Sequence, residues 1–252
     1  TEKANMNEKK FIAALVTALV VVSGAPVTAA TIVGVGTSVD SVNKSLEVLS
    51  GTTVKDVETV NGSIVVASGA VAEVVETVNG SIRVADDVSV DSLESVNGSI
   101  VAGSQLKVKE GVETVNGRIN IGPGSSVAGS IETVNGRVSL DQVSVGENVE
   151  TVNGGVDLKA SRVAGDVAMV NGRIDLSEST VGGDLVVRKA KSSGWNWGSK
   201  PKPPVVVIGE NSEVRGEIRI ENEATKLYVH ENARIGKISG VIAQRFSAEA
   251  PE

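Results

Sequence analysis

Apolar and polar residues alternate along most of this chain in short runs rich in Val and Ile. That period of two predicts β-strands and offers no helical face. The runs share a phrase: VETVNGSI at 57–64, VETVNGRI at 112–119, and near-copies between and beyond. Taken alone, Asn-Gly between alternating apolar residues predicts a two-residue hairpin turn, since both residues tolerate positive φ. Counting decides against a chain of hairpins. The central asparagines are Asn43, Asn61, Asn79, Asn97, Asn116, Asn135, Asn153 and Asn171, at intervals of 18 or 19 residues. Four residues before each stands an apolar anchor: Val39, Val57, Val75, Leu93, Val112, Ile131, Val149 or Val167. Repetition this strict marks a solenoid. Each period also carries a third turn ahead of the next anchor, as in Val-Ala-Gly129-Ser-Ile and Val-Gly146-Glu-Asn-Val. Three turns leave three short strands, so the expected fold is all-β: a single-stranded parallel β-helix (β-solenoid) with coils of 18–19 residues.

Stacking coils about 4.8 Å apart turns repeated letters into columns. The eight asparagines then form a structural ladder, each amide bonding the ones above and below. The glycine beside each is expected to take the left-handed conformation, and Lys44 replaces it in the first coil, as suits a terminal repeat. A carboxylate column runs Asp40, Glu58, Glu76, Glu94, Glu113, Glu132, Glu150; its plain reading is a solvated face, its functional one a strip for cations or a cationic partner. The threonines Thr59, Thr77, Thr114, Thr133 and Thr151 read as inward, packing as hydroxylated valines rather than as a flat binding rank.

The anchor pattern continues after the asparagine series, as Val214-Arg-Gly216-Glu-Ile218 and Arg234-Ile-Gly236-Lys-Ile238. Between them and the repeats lies KAKSSGWNWGSKPKPP, 189–204, which reads as a loop bulging from one coil. The expected organisation is therefore a leader at 1–30, repeat coils over 31–188, the inserted loop, last coils over 205–240, and a cap or tail at 241–252. The leader has Lys9-Lys10, an apolar run from Phe11 to Val22 and small residues ending Val27-Thr28-Ala29-Ala30, the pattern of a secretory signal peptide. Met6 fits its start, with Thr1–Asn5 an upstream extension. The apolar run is too short for a stable membrane span. Export predicts a periplasmic or cell-surface location.

Composition sharpens this. The whole chain carries a net charge of −7, and 1–30 hold more basic than acidic residues, so the chain beyond residue 30 is more acidic still. That balance argues against nucleic acid as a partner. There is no cysteine, so repetition rather than disulfides must hold an exported fold together. The inserted loop breaks the pattern, placing Trp195 and Trp197 among Arg188, Lys189, Lys191, Lys200 and Lys202 in an acidic chain with 2% aromatic residues. Trp with basic residues suits sugar rings, anionic envelope polymer or a protein hot spot, which makes this a candidate binding loop. The competing reading has a tryptophan folding back to staple the loop to the rod.

Catalytic signals are few. His230, with Tyr228 and Glu231 near it, reads as part of a solvated strand face, and no residue is assigned a catalytic role. Calcium-binding repeats of the Gly-Gly-x-Gly-x-Asp type are absent, so neither metal nor cofactor is expected.

The phrase VETVNGSI, at 57–64 and 75–82, resembles the repeats of a family of exported bacterial adhesins built as parallel β-helices, and the likeness covers most of 40–185. VVVIGENSEVRGEI, 205–218, is similar to bactofilins, polymer-forming cytoskeletal β-helices of the bacterial cytosol, from which the leader departs. The first resemblance implies a right-handed helix; neither lends a catalytic residue. The expectation is an exported, non-enzymatic solenoid with a structural or adhesive role at the cell envelope. Its partners would be envelope polysaccharide or protein, and itself end to end. The alternatives are a polysaccharide-active β-helix enzyme and a self-assembling filament.

Overall fold

A computed structural model describes residues 31–33, 36–190 and 202–248 of the chain. The signal-peptide reading at 1–30 and the Trp195, Trp197, Lys191 and Lys200 assignments lie outside them. The described residues hold strands and no helix, and the strands stack in parallel into a β-solenoid of about 11 turns.

Each turn has three faces. The first begins with Val39–Ser41 and continues through Val57–Thr59, Val74–Thr77, Ser92–Ser95 and Val112–Asn116. The second holds Leu46–Val48, Ile64–Val66, Ile82–Val84, Ile100–Ala102 and Ile119–Ile121. In the next three turns the corner between them straightens enough for one strand to run through it: Ile131–Asp141, Val149–Lys159 and Val167–Ser177. These two faces form one sheet of 20 strands; the third face is an 8-stranded sheet of two-residue strands from Ser89–Val90 to Arg234–Ile235. Register is strict, with Val57 on Val75, Val75 on Leu93, Leu93 on Val112 and Val112 on Ile131.

Alternation sorts the side chains. Within each three-residue strand of the second face the outer two positions point inward and are buried, as with Ile64 and Val66 around exposed Val65. The continuous core is almost entirely Val, Ile, Leu and Ala. Branched aliphatics fill a narrow cross-section at one rung spacing per residue, which accounts for the scarcity of rings.

The two corners flanking the second face obey different constraints. The corner after it carries a left-handed residue in nine turns: Gly51, Gly69, Asp87, Gln105, Gly124, Gln142, Ala160, Glu178 and Asn211, with φ between 47° and 73°. The Asn-Gly corner before it does not. Gly62, Gly80, Gly98, Gly117, Gly136 and Gly154 lie outside the left-handed region, and only Gly172, with φ 134°, departs. The expectation of left-handed glycines there is therefore corrected. Each of these glycines sits on the carbonyl of the matching residue one turn earlier, and a Cβ on Gly80 or Gly98 would overlap the oxygen of Gly62 or Gly80. Space, not φ, demands glycine.

In the ninth turn the chain leaves the solenoid after Leu185–Val187 and returns at Val205–Ile208, which pairs with Arg173–Leu176. The insertion thus occupies the corner where Asn-Gly stands in earlier turns. The last turn extends through Gln244–Phe246, with Val241 and Ala243 packed against the core. Tyr228 and His230, expected on a solvated face, are each only 8% exposed. Phe246, paired with His230 in register, sets its ring edge-on at 5.1 Å, and the Asn232 amide donates to His230 Nδ1 at 3.1 Å.

Candidate functional surface

The Asn-Gly corner is fastened twice. Outside, the Nδ2 of each asparagine donates to the Oδ1 of the one before: Asn61 to Asn43, Asn79 to Asn61, Asn97 to Asn79, Asn116 to Asn97, Asn135 to Asn116, Asn153 to Asn135 and Asn171 to Asn153, at 2.8–3.0 Å. Inside, the first-face hydroxyls are buried and reach the carbonyl next to the preceding asparagine. Thr77 donates to Gly62, Thr114 to Gly98 and Thr133 to Gly117, at 2.8–3.2 Å, and Ser95 fills the same role toward Gly80. Thr, Asn and Gly of the repeated phrase are thus one device: the glycine permits close approach, the hydroxyl pairs the carbonyl approached, and the amide locks the outside. Met169 and Val187 follow Thr151 in the hydroxyl column, so the inner clamp ends before the ladder does.

Between these inward residues the first face presents its carboxylates. Asp40, Glu58, Glu76, Glu94, Glu113, Glu132 and Glu150 stand in register on consecutive turns. Partial burial and then the neighbouring like charges push Glu76 and Glu113 up to about 7. Glu58, Glu94 and Glu132 are raised as well, with burial the largest cause in each. A half-dry column of like charges holds protons that isolated carboxylates would release. Beside it, Glu110, Glu113, Glu132 and Glu147 line an open groove of about 520 Å³, with Lys109 at its margin. Glu76, Glu94 and Glu113 are thus all shifted in the same direction.

The column ends two turns before the loop begins. Ala168 and Val186 succeed Glu150 on the first face, and Arg188 reaches back to Glu150 with contacts of 2.8 and 3.3 Å. On the second face the outward positions change from Asp157 and Asp175 to Val207 and Tyr228, both buried. Of the residues assigned to the binding loop, Arg188 is therefore engaged by the rod. Lys189 is exposed, with its amide donating to Glu221 Oε2 at 3.2 Å, and Lys202 is exposed. Sequence reasoning missed the Arg188–Glu150 pair because 38 residues separate its members. Only the two-turn offset brings them together.

Among the described residues no group of three or more His, Cys, Asp or Glu is arranged to hold a metal ion, and no helix is long and apolar enough to cross a membrane. Compared with family models, with curated proteins and with solved structures, the chain matches none, so the adhesin and bactofilin likenesses assign no family.

Proposed function

We propose that this protein is an exported, non-enzymatic solenoid that acts at the bacterial cell envelope as a stiff display rod, with the 189–204 insertion as its attachment point. The observation that carries this reading is the in-register carboxylate column over seven consecutive turns, which gives way to Ala168 and Val186 in the two turns before the insertion. Such a surface suits repeated, low-affinity contact more than a single reaction centre. The acidic face keeps rods from associating side by side, and the tryptophans and lysines of the insertion supply the one region of opposite chemistry. The envelope location and the partners, polysaccharide or protein, follow from the leader and the loop composition.

Deleting 190–203 tests it. Binding of the purified protein to isolated cell envelopes should fall to background while the unfolding transition stays in place. Retained binding would refute the attachment role, and retained binding with a lowered transition would identify the insertion as a staple over Val207 and Tyr228.

End-to-end self-assembly is a second reading, favoured by the last turn. Ile242 there is 92% exposed, and Ile235 and Ile238 are only partly buried against the core. Particles much longer than the roughly 50 Å of eleven stacked turns, seen by negative-stain microscopy, would support it.

A further inference from the structure

Seven asparagines of the ladder are followed by glycine, the pairing in which the next backbone nitrogen reaches the side-chain carbonyl most easily. From the way the corner is fastened, we infer that Asn171 is a spontaneous modification site, deamidating through a succinimide faster than the six other Asn-Gly pairs, which the stack holds back. In that reaction the Gly172 nitrogen attacks Cγ of Asn171 and a C–N bond forms. The Cγ–Nδ2 bond breaks, and ammonia leaves with the proton from the Gly172 N–H. Water then opens one of the two imide bonds, giving aspartate or isoaspartate.

Attack requires the asparagine side chain to swing off the ladder and the following peptide plane to turn. An interior rung resists both. Asn116 donates to Asn97 and accepts from Asn135, and Thr133 holds the Gly117 carbonyl. Among the described residues the Asn171 side chain bonds only to Asn153, and the residue level with it in the next turn is Lys189 rather than an asparagine. Its glycine also lacks the inner clamp, as Gly154 does where Met169 stands: Val187 occupies the place from which a threonine would reach the Gly172 carbonyl, so of the seven pairs position 171 alone has lost both fastenings. Gly172 has in fact turned to φ 134°, away from the conformation its counterparts share. At the opposite end Asn43 precedes Lys44, whose side chain obstructs attack on that amide. The new carboxylate would arise two residues before Arg173 of the Arg173–Asp175 ion pair.

Mass spectrometry of proteolytic peptides, after incubation of the full-length protein at pH 8 and 37 °C, resolves each Asn-Gly pair by its gain of one mass unit and by its isoaspartate content. The native protein should modify position 171 first, about fivefold or more faster than any other rung, as one lost amide bond implies. In urea the seven pairs should react at comparable rates. Equal rates in the native protein, or a faster interior rung, would overturn the inference. A second variant, Val187→Thr, returns a hydroxyl to the clamp position and should slow modification at 171 without lowering the unfolding transition; an unchanged rate would remove the clamp from the explanation.

Discussion

The two corners of the second face place opposite demands on their residues. At the Asn-Gly corner glycine recurs on turn after turn, yet its φ is ordinary in all but Gly172; a Cβ there would strike the carbonyl of the turn before. At the next corner the backbone is left-handed in nine turns, yet the residue is Gly, Asp, Gln, Ala, Glu or Asn. Magnitude explains the inversion. A left-handed residue with a side chain costs about 1–2 kcal/mol, which a solenoid with this much buried aliphatic surface absorbs repeatedly. A collision with backbone cannot be relieved by a rotamer change and displaces two turns at once. Sequence is therefore strictest where turns touch, and loosest where a single turn bends.

This contrast can be broken in steps. The largest effect is expected from Gly98→Ala, which drives a methyl group into the Gly80 carbonyl and should cost about 3 kcal/mol or more in chemical unfolding. Next is Thr114→Val, which keeps the shape but leaves the Gly98 carbonyl without its hydroxyl donor; a loss of about 1–3 kcal/mol is expected on the same measurement. Asn116→Ala removes two amide bonds on the exposed side and should cost about 1–2 kcal/mol, weakening the stack without undoing a turn.

The smallest effect concerns pH. Glu76 and Glu113 are raised from 4.5 to about 7 in the folded protein, so the fold binds protons the unfolded chain has released. Stability should thus fall as pH rises from about 4.5 through about 7, the reverse of ordinary acid denaturation for these groups. The thermal midpoint should be a few degrees higher at pH 5 than at pH 8, limited by solvent screening of half-exposed carboxylates. Glu76→Gln combined with Glu113→Gln should flatten that difference.

Much of this architecture was legible in the sequence because stacking writes itself as repetition. Val57, Val75, Leu93 and Val112 announce a strand face, the asparagines announce a column, and the surplus between Leu185 and Ile218 announces an insertion. Repeated letters do not reveal the cause of their repetition, which is why the Asn-Gly glycines read as conformational. The left-handed corner escaped notice for the converse reason, since Gln142, Ala160 and Glu178 share a backbone shape and no chemistry. His230 read as exposed because its cover, Phe246, belongs to a later strand outside the repeat. The Arg188–Glu150 pair depends on a two-turn offset that no local pattern encodes.

The most direct test makes the same substitution at the two corners. Gly69 has φ +70° and open space where a Cβ would stand, with only the Gly51 nitrogen at 3.9 Å, whereas Gly98 has ordinary φ and no room. Unfolding free energies of Gly69→Ala and Gly98→Ala should differ by at least about 2 kcal/mol, with Gly98→Ala the worse. Equal losses, or a greater loss at Gly69, would contradict the claim that close contact between turns, rather than backbone conformation, dictates the Asn-Gly repeat.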